Sequence, residues 1–242
     1  MQVAIVTVGD EVLAGDVENT NASWLAERLS SAGATVTRII TLPDQRDVIA
    51  ETVADWAAAF DAVIVTGGLG GTHDDVTADA LADVFDRELV VEQPVRQAVI
   101  DRLAAHRDLD PAELDLDRVP IDVDDWAAVP AGARPLPNPE GLCPGFVIQN
   151  VYAFPGIPDE MQAIFETVAD DFAGDAVTRV LETTQPEGSV SDVVATVRER
   201  YAVEVGSYPS LTAYNRLKVR GTDAETVEEA AAWLRERIEQ PD

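Results

Sequence analysis

Apolar residues in the first third of the chain follow two alternating rhythms. Short β-branched runs at 3–8, 34–42 and 62–66 each stop at a glycine or a proline, as buried strands bounded by turns do. Between them lie stretches with helical spacing at 19–31, where Trp24, Leu25 and Leu29 share one face, at 45–59 and at 76–85. Strand and helix in strict succession predict an α/β fold, a parallel sheet covered on both faces by helices and joined by right-handed crossovers. Ligands of such sheets lie beyond the carboxyl ends of the strands, where Gly9-Asp10, Pro43-Asp44 and the segment after Thr66 all fall.

Further along, the rhythm loosens and then changes. Residues 108–130 are acidic and weakly periodic, which predicts an irregular or partly helical excursion over the surface. Asn138-Pro139-Glu140-Gly141 is a turn signal, and the apolar runs at 145–148 and 151–154 flank Gln149-Asn150 as a hairpin. Pro155-Gly156-Ile157-Pro158 then punctuates the entry to a helix over 159–172. From Gly174 and Asp175 onward, 177–183, 191–201, 203–208, 217–221 and 224–238 read as strand, helix, strand, strand, helix. Two domains are expected, 1–174 and a small α+β domain at 175–242, without internal repeats.

Composition narrows the partners. With 242 residues, 46% of them hydrophobic, the chain can bury a real core. Its 45 acidic residues against 17 basic ones leave a net charge of −28, which repels nucleic-acid phosphates and anionic membrane surfaces. Lys218 is the only lysine. An acid-rich surface almost without lysine suits concentrated salt, where a Debye length of roughly 3 Å removes most self-repulsion, so a halophile's cytoplasm is the expected setting. The single Cys143 fits a reducing compartment and has no histidine neighbour in sequence to activate it, and no C-x-x-C or histidine cluster suggests zinc. No apolar run approaches the roughly 18 residues that span a bilayer, and no leader precedes the first strand. A soluble intracellular protein is expected.

The chemistry concentrates after 62–66, where the strand runs into Thr66-Gly-Gly-Leu-Gly-Gly-Thr-His-Asp-Asp-Val-Thr77. Gly67, Gly68, Gly70 and Gly71 remove the Cβ atoms that would keep a phosphate from backbone N–H groups. A helix beginning near Val76, with Thr72 or Asp75 as its N-cap, would aim its positive end at the same space. The pattern is neither a dinucleotide fingerprint nor a Walker loop, and a tight strand-to-helix turn is the plainer use of these glycines. Asp10, Asp44 and Asp75, with Asp74, follow three different strands yet converge on one sheet edge, offering hard oxygen ligands to Mg²⁺, Mn²⁺ or Co²⁺. Glu11 could complete such a shell or activate water, and His73 could touch phosphate. Thr66, Thr72 and Thr77 can donate hydroxyls to a ligand or to the turn itself, Asn21 can bind a ligand or cap its helix, and Pro155-Gly156 offers a second close backbone approach.

Several motifs in order carry a family resemblance. Gly9-Asp-Glu-Val-Leu-Ala-Gly15 with Asn19-Thr-Asn21, the glycine segment 66–77, Asn138-Pro-Glu-Gly141 with Pro144-Gly-Phe146, Phe154-Pro-Gly-Ile-Pro158 with Glu160-Met161, and Gly206-Ser-Tyr-Pro209 together resemble the N-terminal part of CinA, within the molybdopterin-binding MoaB/Mog superfamily. The resemblance covers essentially the whole chain. It implies a three-layer α/β/α domain with a mainly parallel sheet, a ligand whose phosphates sit over the glycine loop, and a symmetric homo-oligomer. It leaves chemistry open between hydrolysis of a nucleotide diphosphate such as ADP-ribose, a molybdopterin role by binding or adenylyl transfer, and regulation without turnover. The Mog branch's two functional aspartates fall at Asp44 and Asp75. Gly71 departs from the pattern, since CinA proteins usually carry proline there, and the nicotinamide-nucleotide amidase part that often follows in CinA has no counterpart, so that activity is not expected.

Overall fold

The computed structural model describes residues 1–210 and 212–241, and these divide into two compact units, 1–29 with 36–172, and 30–35 with 173–210 and 212–241. In the first unit the chain runs β1 (Gln2–Val8), α1 (Asp10–Ala14), α2 (Thr20–Ser31), β2 (Thr35–Leu42), α3 (Arg46–Ala59), β3 (Ala62–Thr66) and α4 (Thr77–Val84). It continues through β4 (Leu89–Val91), α5 (Gln93–Ala105), α6 (Val123–Ala127), β5 (Ala128–Pro130), β6 (Arg134–Leu136), β7 (Gly145–Ile148), β8 (Val151–Phe154) and α7 (Pro158–Glu166). Six strands form one sheet in the order β2-β1-β3-β8-β7-β6. Its centre is parallel: Ile5 pairs with Ile64 and Ile64 with Tyr152. The β7–β8 hairpin turns the edge antiparallel, with Phe146 opposite Ala153.

Both faces of the central strands are covered, as the unbroken apolar runs require. Val63, Ile64 and Val65 are all fully buried, each worth about 1.5–3 kcal/mol relative to exposure. Because side chains alternate along a strand, Val63 and Val65 pack with Val6, Val151, Ile49 and Val53 of α3 and Leu81 of α4. On β8, Phe154 meets Phe165 of α7, which in turn packs edge-on against Trp24 of α2 and stacks on Phe172. The two residues between β7 and β8 are Gln149, at φ 51°, and Asn150, whose amide donates to the Ala57 and Phe60 carbonyls and ties the hairpin to the end of α3.

The structure refines or departs from expectation in several places. The helix expected over 159–172 ends at Glu166, where the Thr167 hydroxyl bonds back to the Ile164 carbonyl at 2.7 Å, and resumes as a 3-10 turn at Ala169–Phe172. Within 108–130 the chain forms two short 3-10 turns, α6 and β5, and packs Val119 and Val123 against Val95, Val99 and Leu103 of α5. Neither α5 nor the β4–β5 ribbon is among the expected elements.

The second unit holds β9 (Val177–Thr183), α8 (Glu187–Arg200), β10 (Glu204–Tyr208), β11 (Asn215–Gly221) and α9 (Ala224–Arg235). Its three strands are antiparallel in the order β10-β11-β9, and Leu181, Leu217 and Val219 pack against Val190, Val197, Val227 and Leu234 of the two helices. Among the described residues no helix is long and apolar enough to cross a membrane.

Candidate functional site

The glycine loop leaves β3 in a conformation that side chains rarely adopt. Gly67 and Gly68 have φ of 105° and 65°, and a Cβ at Gly67 would run into the Val8 carbonyl oxygen. Backbone and hydroxyl then lock the loop to β8 and α4: Gly67 N donates to Phe154 O at 3.1 Å, the Thr77 hydroxyl to Gly67 O at 2.9 Å, and Thr77 N to Gly68 O at 2.9 Å. Thr77 is itself fully buried, so its hydroxyl serves the turn.

Asp75 does not cap α4, and neither does Thr72. The helix starts at Thr77 with Val76 before it and no side-chain cap. Instead one Asp75 carboxylate oxygen accepts from Thr72 N at 3.0 Å and lies 2.5 Å from the Thr72 hydroxyl, which lies equally close to Asp74. This small turn presses the Asp75 carboxylate against Gly70, where a Cβ would collide with it. The Thr72 hydroxyl holds the exposed Asp74 carboxyl below the usual range. His73 is almost wholly solvated, 3.7 Å from Asp74.

Asp10 and Asp44 clasp each other's backbone at the ends of β1 and β2. Asp44 accepts from Asp10 N at 2.8 Å, and Asp10 accepts from Asp44 N at 3.4 Å. Burial pushes the Asp44 carboxyl up, opposed by the Asp10 amide and reinforced by the charges of Asp10, Glu11 and Asp74. Thr66 and Asn21 are buried beneath the loop. The Thr66 hydroxyl donates to Pro155 O at 2.8 Å, and the Asn21 amide donates to Thr66 Oγ1 at 3.2 Å and to Gly156 O at 2.7 Å. The Asn21 amide oxygen is left buried without a partner. These two residues place the Pro155–Pro158 turn so that a Cβ at Gly156 would stand 3.3 Å from Gly67 Cα.

These pieces open on a cleft of about 680 Å³ that takes in Asp44, Gly67, Gly68, Gly70, Asp75, Pro155 and Gly156. Asp10, Asn21, Thr66, Gly71 and Thr72 are not in its lining, and Asn21 and Thr66 line a smaller cavity of about 70 Å³ that shares Glu11 and Gly156 with it. The lining also carries Glu11, Asp74, Glu140 and Glu160, with His106 as its one basic side chain and no lysine or arginine. Asp10, Asp44 and Asp75 do not meet as a ligand group, and no cluster of three or more metal-ligating side chains forms among the described residues.

Trp126 and His106 line the cleft without any signal in the sequence reading, and Glu160 and Cys143 line it in roles that reading does not assign them. Trp126 comes from the acidic excursion, on α6, and its indole occupies the place a Cβ at Gly71 would need. Glycine at 71 is thus the residue that admits this ring. Glu160 is held by Asn138, whose amide donates to it at 2.6 Å, and burial pushes its carboxyl up. The Cys143 thiol donates to Leu69 O at 2.7 Å and burial raises its pKa, so it keeps its proton and ties the 138–144 turn to the glycine loop. Asn138 and Glu160-Met161 did stand out as motifs; their meeting across 22 positions is a tertiary fact.

Comparison with known proteins agrees with this architecture. Residues 4–190 match the family described as probable molybdopterin binding domain, and residues 175–241 the middle domain of FAD synthase. A protein of Archaeoglobus fulgidus is 36% identical over 240 residues, covering 98% of both chains. A CinA-like protein of Citrifermentans bemidjiense is 34% identical over 98% of this chain, which spans only 58% of that relative's length. The crystal structure of CinA from Thermoplasma acidophilum, a protein of unknown function, covers 71% of this chain and 99% of its own at 28% identity and a TM-score of 0.61. The chain therefore belongs to the probable molybdopterin binding domain family, and it is similar to CinA-like proteins.

Proposed function

We propose that the cleft binds a small phosphorylated ligand together with a divalent cation, and that the chain hydrolyses the diphosphate of a nucleotide such as ADP-ribose. The observation that carries this reading is one cleft lined by Gly67, Gly68 and Gly70 of the glycine loop and by carboxylates, with no lysine or arginine among the described residues of its lining. Backbone amides at such a turn suit phosphate oxygens, yet the surrounding carboxylates repel a bare anion, so a diphosphate enters this cleft with its cation. The lack of a three-carboxylate cluster is compatible with Mg²⁺, which commonly takes one or two carboxylates plus substrate phosphates. Asp44 and Asp75 would hold it, with Asp10 fixing Asp44 from behind, and Mn²⁺ or Co²⁺ would suit the same oxygens. When bound, the cation would orient the anhydride and neutralise charge on the leaving phosphate. The net reaction forms a bond from a water oxygen to phosphorus and breaks the bridging P–O bond, giving AMP and ribose 5-phosphate with release of the water's proton.

The match over 4–190 supports a second reading, molybdopterin binding or its adenylylation. Incubation in molar KCl with Mg²⁺, Mn²⁺ or Co²⁺ and ADP-ribose, FAD, NAD, or ATP plus molybdopterin separates them. AMP released from ADP-ribose supports hydrolysis, and adenylylated pterin supports transfer. Binding without turnover in every arm overturns the enzymatic reading and leaves a regulatory binder.

A further inference from the structure

We propose that Trp126 and Glu160 form a heterocycle subsite in this cleft, with a planar ring stacked on the indole and the ring's exocyclic amine donating to the carboxylate. The proposal rests on the reading of the cleft as the site of the phosphorylated ligand, and it adds the two side chains that would hold and read the amino-substituted ring such a ligand carries.

Trp126 lines the cleft with its indole seated on Gly71 of the glycine loop. The other three tryptophans are already partnered: Trp24 by Phe165 and Arg28, Trp56 by Phe60, and Trp233 by Arg200 and Arg237. Among the described residues no ring and no guanidinium lies on Trp126. An indole beside a phosphate-binding loop is a stacking platform for any base, whatever its edge.

Glu160 supplies the edge reading. Asn138 cannot flip, because its oxygen accepts from Glu140 N at 3.0 Å and Gly141 N at 2.8 Å while its nitrogen donates to Cys143 O at 2.8 Å. That same nitrogen donates to Glu160 Oε2 at 2.6 Å, fixing the carboxylate, and Gly141 leaves it room where a Cβ would collide. The second oxygen, Oε1, has no hydrogen-bond partner among the described residues. An ionised carboxylate only accepts, so the complementary ligand group is a donor, which an exocyclic amine provides and a ring carbonyl does not. Burial pushes the Glu160 carboxyl up, opposed by the Asn138 amide and by the charges of Arg102 on α5 and of His106 just beyond its end.

The test is titration calorimetry in molar KCl with Mg²⁺ at a fixed concentration, using AMP, GMP, IMP and pyrophosphate. AMP carries a 6-amino group, GMP a 2-amino group, and IMP neither. The expected result is at least about tenfold tighter binding of AMP or GMP than IMP, since one such hydrogen bond is worth on the order of a tenfold change. Whichever amine is preferred identifies the ring edge. Glu160→Gln keeps the Asn138 bond but turns a donor toward the ligand, so the preference should vanish or invert toward IMP. Trp126→Ala should weaken all three nucleotides about tenfold and leave pyrophosphate alone, while Trp126→Phe restores most of the loss; melting curves confirm folding. Equal affinity for AMP, GMP and IMP in the parent, or an unchanged preference in Glu160→Gln, overturns the subsite. Pyrophosphate binding as tightly as every nucleotide overturns it too, yet spares the phosphate reading. Failure of pyrophosphate and nucleotides alike to bind overturns both.

Discussion

At the residue scale, Asp75 separates a structural role from a chemical one. Its carboxylate accepts from Thr72 and lines the cleft against Gly70, and asparagine would keep an acceptor oxygen for that turn while losing the charge a hard cation requires. Asp75→Asn should therefore melt within about 0.5 kcal/mol of the parent, as changes that retain their hydrogen bonds do, and lose cation-dependent turnover at saturating Mg²⁺. Parent-level turnover would remove Asp75 from the cation site. Glu160 gives a pH signature of opposite sense to a salt-bridged acid. Burial raises its folded-state carboxyl above the ordinary glutamate range, so the unfolded chain releases the proton first. Stability from this group is complete below the unfolded pKa and falls as pH rises through the folded one. Glu160→Gln should therefore melt higher than the parent at neutral pH and converge with it below about pH 4, where both side chains are neutral. A constant offset across that window would mean the carboxyl is no costlier buried than free. Asp10, Asp44 and Asp75 were legible as candidates because aspartate after a strand end is a local signal. That Asp75 turns back onto Thr72 instead of capping α4 was not, since both uses need the same residue at the same spacing.

At the element scale, the cleft depends on a turn held from below. The Thr66 hydroxyl sits between Asn21 and the Pro155 carbonyl and is fully buried. Thr66→Val keeps the shape, strands the Pro155 carbonyl and leaves Asn21 only its bond to Gly156 O, which should cost about 1–3 kcal/mol in denaturant unfolding and weaken ligand binding by loosening the Pro155–Pro158 turn from the glycine loop. A loss below about 0.5 kcal/mol would show that the two prolines rigidify the turn by themselves. The strands and helices around this turn were readable because their apolar residues repeat with one clear period. The α5 segment shows why others were not. Val95, Val99 and Leu103 do recur at helical spacing behind Pro94, but their partners are Val119 and Val123 of the acidic excursion, whose short pieces have no period of their own. Trp126 enters the cleft on one of those pieces, so its position follows from tertiary packing rather than from any motif.

At the scale of the whole molecule, charge dominates. Ion pairs such as Arg28–Glu166, Arg46–Asp83 and Arg134–Asp171 lie at the surface, where each is worth at most about 1 kcal/mol. With 17 basic residues among 45 acidic ones, most carboxylates have no cation to pair with. Their mutual repulsion opposes compaction in dilute buffer, and salt relieves it by shortening the Debye length from about 10 Å at 0.1 M to about 3 Å at 1 M. The melting temperature should therefore climb steeply across that interval and flatten above it, because screening is then nearly complete. Salt also strengthens apolar burial, but that effect grows steadily with concentration and is shared by uncharged osmolytes. Thermal melts in KCl beside melts in sucrose of equal osmolality distinguish the two: a steep early rise in KCl alone identifies electrostatic relief. A melting temperature independent of KCl, or matched by sucrose, would mean that −28 charges do not strain the fold, and the halophilic reading would fall with it.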